Sequence, residues 1–425
     1  MFQKVAKYVS QSVLGMLGVS IYILADTYFI SRGFGSDGLA VLNLTLPIYG
    51  LIYAIGQMLG IGFAVTYSLA KAQQAKTDTY FMQAISWCAL LSLPFMLIGI
   101  LSPDGLLRLL GADAALAQIG KQYVRLILCF SPAFMMNYVF AAFARNDNAT
   151  TLAMIGAMAG SFYNIVFDYV FMFPMGFGFK GAAMATVGCP IISILICLIH
   201  FRSKKNTVGF KMSRLSIRTL LKSCSVGMSG FVGEFSSAVI SAVFNFLMLG
   251  LAGNVGVAAY GVIANIALVA ICIFNGIAQG MQPLLSDSFG HNREKEVRSL
   301  LRIGLGIVLS VAVFFQILGW GFASQLVSVF NSQNDMQMAA YAENGLRLYF
   351  LGFLGAGINI MMIAYYSAIG NAKPVMIGSL LRGLILITFF AVLMGNIFGM
   401  TGVWLSYITA ELVTLVVLIL MARKK

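Results

Sequence analysis

Two acids sit where acids are expensive. Asp26 lies inside an apolar run of membrane-spanning length, with Tyr22 one helical turn before it; in a later run Asn164 and Asp168 stand one turn apart on a face shared with Ser161. An ionised carboxylate in hydrocarbon costs several kcal/mol unless it is paired, protonated or wetted, so these acids should face a cavity and bind something. Asp26 lies six residues before Arg32, which marks the outer end of its run, and Asp168 lies six residues before Pro174. At ~1.5 Å of rise per residue each is about 9 Å below the edge of its helix. Thr186 follows Lys180 by the same six residues in the next run, so Asp26, Asn164, Asp168 and Thr186 share one depth on three helices. Two carboxylates, an amide oxygen and a hydroxyl suit a hard cation such as Na+, or a pair sharing a proton, and Tyr22 is within a turn of donating to an acid. No lysine or arginine stands at that depth, which is a poor design for acids that only hold helices together.

Other polar groups are weaker signals. Glu234 follows Gly227, Gly230 and Gly233, which permit bending and close approach, and Glu411 lies near the middle of the last run. Tyr49, Tyr53 and Gln57 form one polar stripe, Asn275, Gln279 and Gln282 another. With Asn137 and Glu234, residues of these stripes are the candidates for lining a substrate cleft, although helix-to-helix hydrogen bonding explains such stripes nearly as well. The 24 methionines and 33 phenylalanines would suit amphipathic cations in a wide cavity and equally suit a lipid-facing or packed surface.

The elements that must position these groups follow from composition. The chain is 60% hydrophobic and 10% charged, far from the ~25% charged residues of soluble domains. Runs of about 20 apolar residues predict twelve spans, near 8–32, 38–70, 80–101, 116–143, 149–171, 181–201, 218–248, 256–285, 297–321, 340–369, 374–397 and 400–421. The predicted fold is an all-α polytopic membrane protein. Of 27 lysines and arginines, 21 fall on the face shared with the N-terminus and 6 on the other, which places both termini in the cytoplasm of a cell-membrane protein. The net charge of +13 is then a topology signal and needs no nucleic acid. All six cysteines fall within predicted spans and read as small apolar core residues.

Six spans repeat as the next six. Gly35-Ser-Asp-Gly-Leu-Ala40 matches Gly253-Asn-Val-Gly-Val-Ala258, Arg125-Leu matches Arg347-Leu, Asn137 matches Asn359, Asn148-Ala matches Asn371-Ala, and Gly178-x-x-Gly181 matches Gly399-x-x-Gly402, at offsets of 218 to 223 residues. An even number of spans gives both halves the same orientation, a parallel repeat about the membrane normal. The expected organisation is an N-lobe over 1–201, a basic cytoplasmic linker over 202–217 whose charge fixes topology and meets anionic headgroups, and a C-lobe over 218–425.

Enzyme motifs are missing. There is no Walker loop, and no Gly-x-Gly-Asp surrounds Asp26 or Asp168 as an intramembrane aspartyl protease would need. His200 and His291 both fall at cytoplasmic ends with no catalytic spacing and read as solvated surface. No cofactor, no nucleic acid partner and a monomer are expected.

Asp-Thr-Tyr-Phe-Ile30 with Gly-Leu-Ala40 and Pro47, Asn164-x-x-x-Asp168, Gly178-x-x-Gly-Ala-Ala183, Gly230-x-x-x-Glu234, Gly276-x-x-Gln-Gly-x-x-Pro283 and Gly402-Val-Trp404 resemble the MATE (multidrug and toxic compound extrusion) family over the whole chain, most closely its bacterial DinF-like branch. The resemblance implies a cation-coupled antiporter, using H+ or Na+, that exports organic, mostly cationic drugs from a cleft between two six-helix lobes. It also implies an N-lobe ion site at the positions of Asp26, Asn164, Asp168 and Thr186, beside Tyr22. The chain departs from the family in two places: Gln11 stands where many members carry a proline, and the acid of the NorM-like branch in span ten is missing. A related fold carries lipid-linked saccharides. A flippase of that kind needs basic residues to hold pyrophosphate, and Arg382 and Arg125 are the best on offer.

Overall fold

The computed structural model describes residues 2–330 and 335–423, and the regular structure among them is entirely helical. In chain order the helices are α1 (Phe2–Ala72), α2 (Tyr80–Leu101), α3 (Pro103–Leu109), α4 (Ala114–Cys129), α5 (Ser131–Asn146), α6 (Thr150–Met172) and α7 (Gly178–Phe201). After the linker come α8 (Ile217–Gly290), α9 (Glu294–Gly321), α10 (Ala323–Phe330), α11 (Met336–Tyr349), α12 (Gly352–Ala368), α13 (Ala372–Leu380), a π-helix over Leu381–Ile385, and α14 (Leu386–Arg423). Two of these runs each hold two apolar crossings: α1 contains Phe2–Phe34 and Val41–Ala72, and α8 contains Ile217–Gly253 and Val255–Gly290. The helices α4 and α5 make one crossing bent by 44°, and α11 and α12 another bent by 46°. The final apolar run, Ala372–Met421, is broken at Gly399 (φ 59°, ψ −141°), between the two spans predicted there. Counted in this way the twelve predicted spans are all present.

The chain divides into two compact units, Met1–Glu234 and Phe235–Lys425. The repeat is visible in the backbone of each. Asp113 caps α4 by accepting from the Leu116 amide, and Asp335 caps α11 by accepting from the Gln337 and Met338 amides. Each cap satisfies donors that a helix start leaves open, worth ~1 kcal/mol. Both bent crossings break at equivalent points, after Cys129 and after Tyr349, and Pro132, with no N–H to give, accounts for the first break. Gly178 (φ 55°) and Gly399 (φ 59°) both take a positive φ at matching turns.

Within the first unit the linker is held by a buried acid. Asp147, between α5 and α6 and 3% exposed, accepts from Lys71 Nζ at 2.9 Å and pairs with His200 Nε2 at 2.8 Å. It also accepts from the Thr207 amide at 2.9 Å and from the Thr207 hydroxyl. Burial pushes the Asp147 carboxyl up, but the hydrogen bonds from Thr207, Lys71 and His200 outweigh it and hold the group below the ordinary carboxylate range. Farther along the linker, the Lys211 amide donates to Asp78 O at 3.0 Å and Phe210 packs edge-on against Phe81 at 5.4 Å. His200 is therefore corrected: at 5% exposed it is a buried partner of Asp147, whereas His291 is exposed as expected. Its position at a helix end suggested solvent, but the linker folds back over it.

Candidate functional site

The helices α1, α6 and α7 carry the acids, and small residues bring them together. A Cβ on Gly18 would lie 3.5 Å from Ser161 Oγ, and one on Gly160 would lie 2.7 Å from Cys189 O. A side chain at Gly160 is thus excluded, and the backbones of α6 and α7 approach closely. Asp26 is 8% exposed, Asp168 and Asn164 are fully buried, and Thr186 is 4% exposed.

The Asp26 and Asp168 carboxyl groups lie close enough to interact directly. Two carboxylates in such contact repel when both are ionised, and a proton or a cation between them removes that repulsion. Neither acid forms a salt bridge among the described residues, and Asp26 Oδ1 and Asp168 Oδ1 are buried without a donor. With its amide oriented by its neighbours, Asn164 donates to Asp168 Oδ2 at 3.3 Å and accepts from the Thr186 amide at 3.3 Å. The Thr186 hydroxyl donates to Ala182 O at 2.9 Å in its own helix, so it faces a site only with its oxygen lone pairs. The four residues selected by depth are the residues that lie together.

Tyr22 meets a different partner. Its hydroxyl is 3.4 Å from that of Tyr53, which is its hydrogen-bond partner in place of an acid. Tyr49 and Tyr53 pack edge to face at 4.9 Å, both against Phe134 at 5.4 and 5.7 Å, and Tyr53 also meets Tyr138 at 5.6 Å. Tyr123, 1% exposed on α4, is close enough to both acids to interact with them electrostatically. Sequence reasoning misses it because one tyrosine on the inner face of an amphipathic helix looks like ordinary core.

Gln57 Nε2 donates to Glu234 Oε1 at 2.6 Å, with Tyr138 hydrogen-bonded to Gln57. This contact lies beside a close helix crossing: a Cβ on Gly62 would fall 2.0 Å from Ser223 O, and one on Gly227 2.0 Å from Met58 O. Asn137 Oδ1 is buried and unpartnered. Asn275 and Gln279, half-buried on α8, belong to the second unit, as does Gln282, which donates to Ser367 at 3.3 Å. The cleft candidates thus fall into a Tyr49, Tyr53, Gln57, Glu234 group in one unit and an Asn275, Gln279 stripe in the other.

In the second unit Glu411, 1% exposed, takes both Nε and Nη2 of Arg382. Arg382 is therefore corrected as well: the π-helix turns it inward onto an acid in mid-span, whereas its position near a span end suggested the cytoplasmic face.

Acids sunk to this depth in a helical fold of twelve crossings define a polytopic membrane transporter. The MatE family model matches residues 12–170 and again 231–393, one match for each half of the repeat, and the chain belongs to that family. The multidrug export protein MepA of Staphylococcus saprophyticus is 24% identical over 403 residues, 94% of this chain and 88% of the relative. MepA of Staphylococcus aureus is 24% identical over 406 residues with the same coverage. A solved structure described as the outward-facing conformation of a multidrug resistance MATE family transporter of the MOP superfamily superposes with a TM-score of 0.91 at 22% identity, over 99% of this chain and 95% of that one. A MOP superfamily transporter from Pyrococcus furiosus, described by the reverse polarity of its binding pocket, superposes with a TM-score of 0.89 at 22% identity and the same coverage.

Proposed function

We propose that the protein is a cation-coupled antiporter of the cell membrane, with both termini cytoplasmic, in which H+ or Na+ entering from outside occupies the Asp26–Asp168 pair and drives release of an organic, cationic drug. The observation that carries this reading is the pair itself, two buried carboxyl groups in contact with no base beside them. Such a pair resists ionising twice, so it holds a proton or cation and gives it up only when its surroundings change. Coupling needs the ion to bind the two access states with different affinity, since equal affinity shifts nothing. Asn164 fixes the Asp168 carboxyl, and the oxygens of Asn164 and Thr186 complete a hard-oxygen set for Na+. The Tyr49, Tyr53 and Tyr138 rings offer faces for an aromatic or quaternary cation. MepA is named as a multidrug exporter, which supports drug-like cargo here. The lipid-linked saccharide reading loses support, because Glu411 takes the guanidinium of its best anchor, Arg382, and Arg125 is exposed.

The test is ethidium efflux from proteoliposomes with the H+ and Na+ gradients imposed separately. One gradient should drive efflux in the parent, and correctly inserted Asp26→Asn and Asp168→Asn should fall to the rate of protein-free vesicles. Variants as fast as the parent under the same gradient would end the proposal.

A further inference from the structure

Glu411 lies on α14 at 1% exposure and is the best-compensated acid among the described residues of the second unit. Arg382 Nε lies 3.1 and 3.2 Å from its two oxygens and Arg382 Nη2 lies 2.8 Å from Oε1. Asn359 Nδ2 donates to Oε2 at 2.7 Å and to the Glu411 main-chain oxygen at 2.8 Å, which locks the amide in place. The surroundings are shaped to fit. A Cβ on Gly355 would lie 2.8 Å from Glu411 Cβ, and one on Gly352 would lie 2.3 Å from Tyr407 Cδ1. Tyr407 hydrogen-bonds Arg382 and stacks on Tyr349 at 4.3 Å and 5°. The titratable groups facing Glu411 are thus Arg382, Tyr407 and Tyr349.

Without the guanidinium, what remains is the Glu411 carboxylate, held by the Asn359 amide N–H, with the Tyr407 hydroxyl oxygen beside it. These are hard oxygens of the kind that hold a proton or a small alkali cation. At the repeat offset, Arg382 and Glu411 correspond to Gly160 and Pro190 in the first unit, so the ion pair has no counterpart in the Asp26 site. Arg382 is always charged and is tied to the backbone, so it compensates Glu411 without exchanging.

We propose that Glu411, positioned by Asn359, and Tyr407 form a latent cation site kept filled by Arg382, a tethered cation, and that Arg382 thereby fixes the number of exchangeable coupling ions at one. The inference rests on the ion-coupled reading above and extends it to stoichiometry. Arg382 acts here as a residue that excludes an ion.

The experiment counts bound ions on the purified full chain, using proton uptake in sodium-free pH titration and equilibrium binding of radioactive Na+. The two probes separate a proton site from a sodium site. The parent should bind about one ion at the carboxyl pair, removed by Asp26→Asn with Asp168→Asn and untouched by Glu411→Gln. Arg382→Met should bind about one more, and Glu411→Gln in that background should remove the extra ion. Arg382→Lys, still a tethered cation, should keep the parental count. If Arg382→Met does not insert, Arg382→Gln gives the same comparison, and the neutral Arg382→Met/Glu411→Gln pair reports on folding. The proposal is overturned if Arg382→Met and Arg382→Gln gain no ion, or if Glu411→Gln alone removes one from the parent. Parental binding that survives loss of both aspartates would instead overturn the ion-coupled reading, while the difference between Arg382→Met and its Glu411→Gln derivative would still decide the latent site.

Discussion

In mid-span the two units bury acids in opposite ways. In the first, Asp26 and Asp168 face each other with no base within reach; in the second, Glu411 is clasped by Arg382 and Asn359. The first arrangement is electrostatically incomplete and needs something from solvent, and the second is complete within the chain. On the ion-coupled proposal, the first half of the repeat takes up an ion and the second carries its own. At the matching positions the second unit has Phe244 for Asp26 and Tyr407 for Thr186, so the Asp26 carboxylate has no counterpart there.

The comparison predicts opposite responses to neutralising one acid in each unit. Glu411→Ala leaves a buried guanidinium uncompensated and should destabilise the purified protein by ~3–5 kcal/mol. Asp168→Asn keeps the shape of a pair that resists ionising twice and should leave the thermal midpoint unchanged or raise it. Equal destabilisation by both would dissolve the distinction. A smaller effect tests the frame of the first unit: Gly62→Ala or Gly227→Ala puts a methyl against main-chain oxygen and should cost ~1–3 kcal/mol in the same melts. Gly233→Ala, with nothing within 4 Å, should be near neutral.

The smallest effect concerns Asp147. Its carboxyl is held below the ordinary range in the folded protein, so its contribution is present above the unfolded value of ~3.9 and is lost as pH falls through the folded one. Protection of the 202–216 linker from an acid-active protease should therefore hold from neutral pH to about pH 5 and fail only below about pH 4. Asp147→Asn should expose the linker across that range. Unprotected linker in the parent at neutral pH would refute the docking.

The acid pair was legible in the sequence because hydrocarbon makes any ionisable group conspicuous, and counting residues from helix ends gives depth directly. The twelve crossings were legible for the same reason, and the repeat from matched turn residues such as Gly178 and Gly399. Direction around a helix was not. Tyr22 stands a turn from Asp26 yet reaches Tyr53, and Tyr123 reaches the acids from a helix that no spacing rule connects to them. Arg382 was hidden more deeply, since a π-turn shifts the angular register that a helical count assumes. His200 was misread as solvated, and the role of Asp147 was not seen, because a polar linker gives no sign of where it lies down.

The central claim is that drug and ion compete through the Asp26–Asp168 pair. It is tested most directly by adding tetraphenylphosphonium to the purified protein in weakly buffered solution and measuring the ion displaced. Release of about one H+ or one Na+ per drug bound, abolished in Asp26→Asn with Asp168→Asn, is the predicted result. Saturable drug binding with no ion displaced from the parent would contradict it.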